Sequence, residues 1–167
     1  MGKVQETFGN GSPGAVSRSR DDIIISVRNV SESDIEFGKP VFLASEGGVP
    51  FNTSEPQDFE KFLGFAVRIA DKTPDAYPQG QFNDGPQAGV WHAGDVMEVL
   101  VRGAISVPTV TVGVKGGKVW IRKSDGRLTT TQGAEGSTVL LENVRVNHPR
   151  DNGSGCAEVI INKRNII

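Results

Sequence analysis

The sequence predicts an all-β fold: a single small barrel or sandwich, with a jelly roll among the arrangements that fit. An extended N-terminal arm precedes it, and at most one short helix interrupts it. Three observations carry this expectation. Apolar residues recur at a period of two in one segment after another, the spacing of a strand that buries one face. The chain holds 21 Gly and 9 Pro in 167 residues, breaks too frequent for long helices. Turn residues separate about nine short apolar runs, the punctuation of a barrel or sandwich rather than of alternating β and α units. A chain of 167 residues can bury one good apolar core but is short for two, so the expected division is an arm over residues 1–20 and a β-domain over residues 21–167.

The elements follow in order. Residues 1–20 carry Gly9, Gly11, Pro13 and Gly14 among Ser and Asn and end in Ser17-Arg18-Ser19-Arg20, with neither strand nor helix period. Such a segment buries too little surface to offset its ordering entropy alone, but Val4, Phe8 and Val16 are spaced along it as anchors that a neighbouring subunit could hold. Ile23, Ile25 and Val27 alternate with Ile24, Ser26 and Arg28, which gives a first strand at 22–30. Pro40-Val41-Phe42-Leu43-Ala44, closed by Gly47-Gly48, gives a second. Ser54-Glu55-Pro56-Gln57 has the spacing of a capping box, and Phe59, Phe62 and Leu63 continue at helical intervals, so one or two helical turns are expected before Gly64. The period then changes to two: Leu63, Phe65, Val67 and Ile69 fall on one face and Gly64, Ala66 and Arg68 on the other, a strand at 63–70.

Residues 71–87 contain Pro74, Pro78, Gly80, Gly85 and Pro86, with Tyr77 and Phe82 as the large apolar groups. A loop this long inside a small domain is expected to touch a partner. After the turn Gly94-Asp95, Met97, Val99 and Val101 share one face and Glu98 and Arg102 the other. Short strand pieces at 104–107 and 110–112 flank Pro108, which marks an edge or bend. Lys118-Val119-Trp120-Ile121-Arg122 and Arg127-Leu128-Thr129-Thr130 bracket Ser124-Asp125-Gly126, a strong hairpin signal. Alternating runs at 138–146 and 156–163 complete the domain.

Little in the chain points to chemistry. With 18 basic and 20 acidic residues there is no dense positive field, so nucleic acid is not an expected partner. No apolar stretch nears the roughly 20 residues that span a bilayer, and the polar start has no hydrophobic signal core; no membrane partner is expected, and synthesis in the cytoplasm is. Cys156 is the single cysteine and His92 and His148 the only histidines, too few for a metal site of the usual donors. Gly113-Val114-Lys115-Gly116-Gly117-Lys118 is one residue short of a phosphate loop, has Val119 where Ser or Thr is needed, and leads into a strand. Gly153-Ser154-Gly155 is only a fragment of a hydrolase elbow. Acidic pairs such as Asp21-Asp22, or Asp71 and Asp75, lie at strand ends and turns, where solvated carboxylates normally occur. Neither catalysis nor a cofactor is expected.

Three stretches in the middle of the chain follow one another in a characteristic order: Phe62-Leu63-Gly64-Phe65-Ala66, Gly94-Asp95-Val96-Met97-Glu98-Val99-Leu100-Val101-Arg102-Gly103, and Gly117-Lys118-Val119-Trp120-Ile121. In this the chain resembles the capsid cement, or decoration, proteins of tailed bacteriophages, over roughly residues 60–130. The resemblance implies a catalytically silent β-domain on the outer shell of a virion, bridging major capsid protein subunits beside further copies of itself. The arm, with Val4, Phe8, Val16, Arg18 and Arg20 as its candidate anchors, and the loop with Tyr77 and Phe82 have no counterpart in the resemblance; they are candidate contact segments on their own composition. Two other readings fit the same composition. One is a tail or head-fibre module. The other is a carbohydrate-binding β-domain, for which Trp91, Tyr77 and Trp120 are the candidate stacking residues.

Overall fold

The computed structural model describes residues 10–17, 21–52, 61–69 and 89–164. Within them the chain forms strands β1 (Ile23–Arg28), β2 (Ile35–Glu36), β3 (Pro40–Leu43), β4 (Gly48–Pro50), β5 (Phe62–Ala66), β6 (Val90–Trp91), β7 (Val96–Pro108), β8 (Lys118–Arg122), β9 (Leu128–Thr129), β10 (Thr138–His148) and β11 (Cys156–Ile161). One antiparallel sheet runs β4-β3-β5-β7-β11-β10-β8-β9 and curls into a half-barrel; β1 pairs with β7 off this path, and β2 and β6 form a separate two-stranded ladder. The all-β expectation holds, and no strand or loop of the described residues is replaced by an α-helix. The expected helical turns fall largely on residues 53–60, outside the described residues.

β7 organises the molecule because it serves both halves of the sheet. Its first half pairs with β1 and β5, through Ser26↔Glu98 and Phe65↔Leu100, and its second half with β11, through Val159↔Ile105. Met97, Val99 and Val101 enter one apolar cluster with Ile35, Phe37, Val41 and Trp91; Ile105 and Val107 enter the other, with Phe42, Phe65, Val119 and Ile121. All five β7 positions are odd, and a regular strand would put them on one face. The exchange of faces happens around Gly103, whose φ of +120° only glycine adopts readily. The run expected after Gly94-Asp95, with Met97, Val99 and Val101 on one face, and the piece expected at 104–107 are therefore one bent strand. Residues 110–112 form no strand; just before them Thr109 makes a parallel bridge to Leu128.

β5 is buried along its whole length, because it lies between the two clusters. Phe62, Phe65 and Val67 face one and Leu63 and Ala66 the other, so the expected single face of Leu63, Phe65 and Val67 is corrected. A register break causes the change: Val41 opposes Gly64 whereas Phe42 opposes Phe62, which leaves Leu63 as an extra residue in the ladder. Gly64 permits the close approach of β5 to β7, since a Cβ there would lie 2.0 Å from the carbonyl oxygen of Leu100. The β8–β9 hairpin forms where the Asp-Gly signal placed it, with Gly126 at φ +67° and its N–H donating to Arg122 O at 2.8 Å.

Candidate docking surface

The chain before β1 is partly built into the body. Gly14 N–H donates to Ser106 O at 2.8 Å and Ser106 N–H to Ala15 O at 2.9 Å, which lays this segment along the second half of β7. Arg68 N–H donates to Gly14 O at 2.8 Å, so the same segment reaches the chain just after β5 and helps close the curl. Two carboxylates fasten it from the far side. Asn10 N–H donates to Asp151 Oδ2 at 2.6 Å, and Ser17 Oγ donates to Glu158 Oε2 at 2.5 Å. The Asn10 amide also donates to Pro149 O and Cys156 O. N–H donors of Ser154 and Asn10 hold the Asp151 carboxyl at about 2, well below the ordinary carboxylate value.

Besides Val30 just after β1, the exposed large apolar side chains of the described surface fall in two places. On the β1–β7 ladder, Ile23, Ile24 and Val96 face solvent, Val96 at 65% exposure. In the connection from β7 to β8, Val110, Val112 and Val114 are 40, 52 and 70% exposed. That connection is not loose: Val110 N–H donates to Leu128 O, Arg150 N–H to Val112 O and Gly116 N–H to Val146 O, at 2.7 to 2.9 Å. The valines are thus held outward by a hydrogen-bonded backbone, at a standing cost in hydration that a docked partner would remove.

Groups able to do chemistry do not converge among the described residues, and none of their His, Cys, Asp and Glu side chains gather in threes as a metal would need. His92 Nδ1 lies 3.2 Å from Asp34 and His148 Nε2 3.8 Å from Glu158, both at the surface. Cys156 is buried, its thiol directed to Ser154 O, and burial pushes its pKa up, away from the reactive thiolate. Asp21 is drawn to Arg102, and Asp125 to Arg122, whose guanidinium lowers that carboxyl to about 2.

Of the expected site residues, Val4, Phe8, Arg18, Arg20, Tyr77 and Phe82 lie outside the described residues. Val16, expected as an anchor for a neighbour, is half-buried against its own chain's core and bridges Ile105. The strand spacing around it is too short to read by period, which is why its partner was not evident. Trp91 is 2% exposed and gives its indole N–H to Val67 O at 3.0 Å, so it offers no face to a sugar. Trp120 is half-buried on β8. The exposed valines at 110, 112 and 114 were missed as surface: their alternation is that of a strand, and only the missing partner strand tells otherwise.

Fold and surface together define a small β-body that presents area rather than a reactive cleft. The family model for the structural cement protein of phages (E217 gp24/Pam3 gp6) matches residues 2–162. The chain belongs to that family, and is a capsid-associated structural protein of a bacteriophage. A solved chain from the capsid of Myoviridae phage XM1 shares its fold, with TM-score 0.71 and 17% identity over 97% of this chain and 96% of that one. No curated protein matches. The three stretches that carried the resemblance are β5, the first half of β7 and the start of β8, all of them core-forming.

Proposed function

We propose that this protein docks on the outer surface of a phage capsid and stabilises the shell by bridging major capsid protein subunits, alongside further copies of itself. It works by shared area alone, without catalysis, metal or cofactor. It is made in the host cytoplasm and ends on the virion exterior. The observation that carries the reading is the outward valine series Val110, Val112 and Val114, kept exposed by a hydrogen-bonded connection in a member of the cement family. The origin of its fold neighbour in a phage capsid supports the same reading. Each contact is weak, but a lattice repeats it, and repetition multiplies affinity without any single strong site. The arm, through Val4, Phe8, Arg18 and Arg20, and the loop, through Tyr77 and Phe82, add further contacts of the same kind.

Undecorated shells incubated with the purified chain test this. Val112→Asp with Val114→Asp should weaken shell binding at least tenfold while leaving the melting temperature unchanged, because neither side chain supports the core. Removal of residues 1–9 should weaken binding as well; the cut stops there because Asn10 to Ser17 hold the body together. If both variants decorate shells like the parent, the reading fails. A tail or head-fibre module would instead give a copy number out of step with the capsid lattice. A sugar-binding role has lost Trp91, one of its three aromatic candidates, to the core.

A further inference from the structure

A groove crosses the surface where the two rims of the curled sheet meet. Its larger part encloses about 400 Å³, with the half-buried Pro13 and Pro108 as apolar walls over the buried Phe37 and Leu128. A second hollow of about 210 Å³ continues it past Pro40 and Phe51, sharing Glu36, Lys39 and Gly126 with the first. The two share a border and both are open to solvent, which suits a stretch of extended chain better than a small molecule.

The charges are unevenly placed. Three cations, Lys39, Arg127 and Arg150, line the larger part against a single acid, Glu36. Lys39 is paired with that acid at 3.4 Å. Arg127 stands 3.7 Å from Asp125, too far for a hydrogen bond, and Asp125 is already held by Arg122. Arg150 uses its Nε on Gly155 O at 3.2 Å. The terminal guanidinium nitrogens of Arg127 and Arg150 therefore keep donors suited to a carboxylate, beside apolar walls, in a chain whose net charge is −2. The smaller hollow carries Asp34, Glu36 and Asp125 against Lys39, so the positive excess is confined to the larger part.

We infer that the groove receives an extended, carboxylate-bearing segment of a neighbouring shell subunit, its acidic side chain seated between Arg127 and Arg150 and its apolar side chains on Pro13 and Pro108. This rests on the reading that the protein decorates a capsid, and it adds a seat distinct from the outward valines. Charge complementarity selects the occupant: a basic segment would meet two guanidinium groups, and an uncharged one would leave them unmatched.

The test uses the full chain and its Arg127→Ala/Arg150→Ala variant, each shown by near-ultraviolet circular dichroism and melting to be folded, with Arg127→Ala alone as the milder form should the pair unfold. A fluorescein-labelled peptide of sequence Glu-Val-Glu-Val-Glu should bind the parent chain, weaken as salt rises, and lose at least tenfold in affinity to the variant. The matching peptide with Lys for Glu should not bind. The variant should also decorate undecorated shells at least tenfold more weakly. Equal binding of the acidic and basic peptides, or full shell binding by the folded variant, overturns the groove assignment while the docking role stands. If the parent chain itself leaves shells bare, the docking role is what has failed. Should light scattering show that the parent self-associates and that the variant does not, the occupant is a second copy and the assignment to the shell is overturned.

Discussion

Replacing Gly103 by alanine tests the reading of β7 as one strand that changes faces. At φ +120° a side chain is strained regardless of space, by about 1–3 kcal/mol. Space is also lacking: a Cβ would lie 2.0 Å from Asp22 Oδ1, 2.9 Å from its Cγ and 3.1 Å from its Cα. The last of these is backbone, so turning the Asp22 side chain away relieves only part of the clash, and overpacking of this kind costs about 1–3 kcal/mol. The sum is about 2–6 kcal/mol, a large share of what holds a domain of this size. With roughly 2–4 °C lost per kcal/mol at this length, Gly103→Ala should lower the melting temperature by about 4–24 °C, read by circular dichroism. Asp22→Gly in the same chain separates the two causes, because it removes the carboxylate and leaves the φ. The double variant should recover part of the loss and retain the rest. A Gly103→Ala protein that melts within a degree of the parent would refute the face exchange, since a regular strand could take the alanine without strain.

Gly64→Ala should destabilise by about 1–3 kcal/mol in urea titration, because its Cβ would meet the Leu100 carbonyl in the middle of the β5–β7 ladder. Trp91→Phe should cost about 1–3 kcal/mol by the same measurement, since it takes the indole donor from the buried Val67 carbonyl; a loss within error would mean that the bond contributes nothing net. The Asp151 carboxyl titrates at about 2 in the fold against 3.8 ordinarily, so its contribution is complete above 3.8 and is lost as pH falls toward 2. Asp151→Asn should therefore flatten the decline in stability between pH 4 and pH 2 relative to the parent, and a parallel decline in both would refute the fastening of Asn10 by this carboxylate.

The class of fold, the hairpin at Asp125-Gly126 and most strand positions were legible because alternation and turn residues report directly on burial and chain reversal. Alternation failed where the ladder breaks register. Leu63 is one residue out of step in β5, and Leu141 and Val144 share a core face of β10 at a spacing of three because the pairing with β8 slips between Leu141 and Arg145. Nothing in the local sequence marks these slips, since they are set by the partner strand. Gly103 likewise carries no local sign of the bend that it makes.

The surface was less legible than the core, and the physics of the two explains it. A core position is overdetermined: Val99 must be apolar, of a certain size and on a certain parity, and each demand leaves a trace in the sequence. A docking position answers to a partner that the chain does not encode, so Val112 and Val114 look like strand residues, and Arg127 and Arg150, 23 positions apart in the numbering, show no pattern until the β8–β9 hairpin and the loop after β10 bring them to one groove. Val16 marks the boundary between the two cases. Its spacing on a polar, Gly-rich segment suggested an anchor for another subunit; within its own chain it is half-buried against the core and bridges Ile105 in the second half of β7, and Asn10 and Ser17 on either side are fastened by Asp151 and Glu158. The stretch from Asn10 to Ser17 is therefore fastened to the body of its own chain.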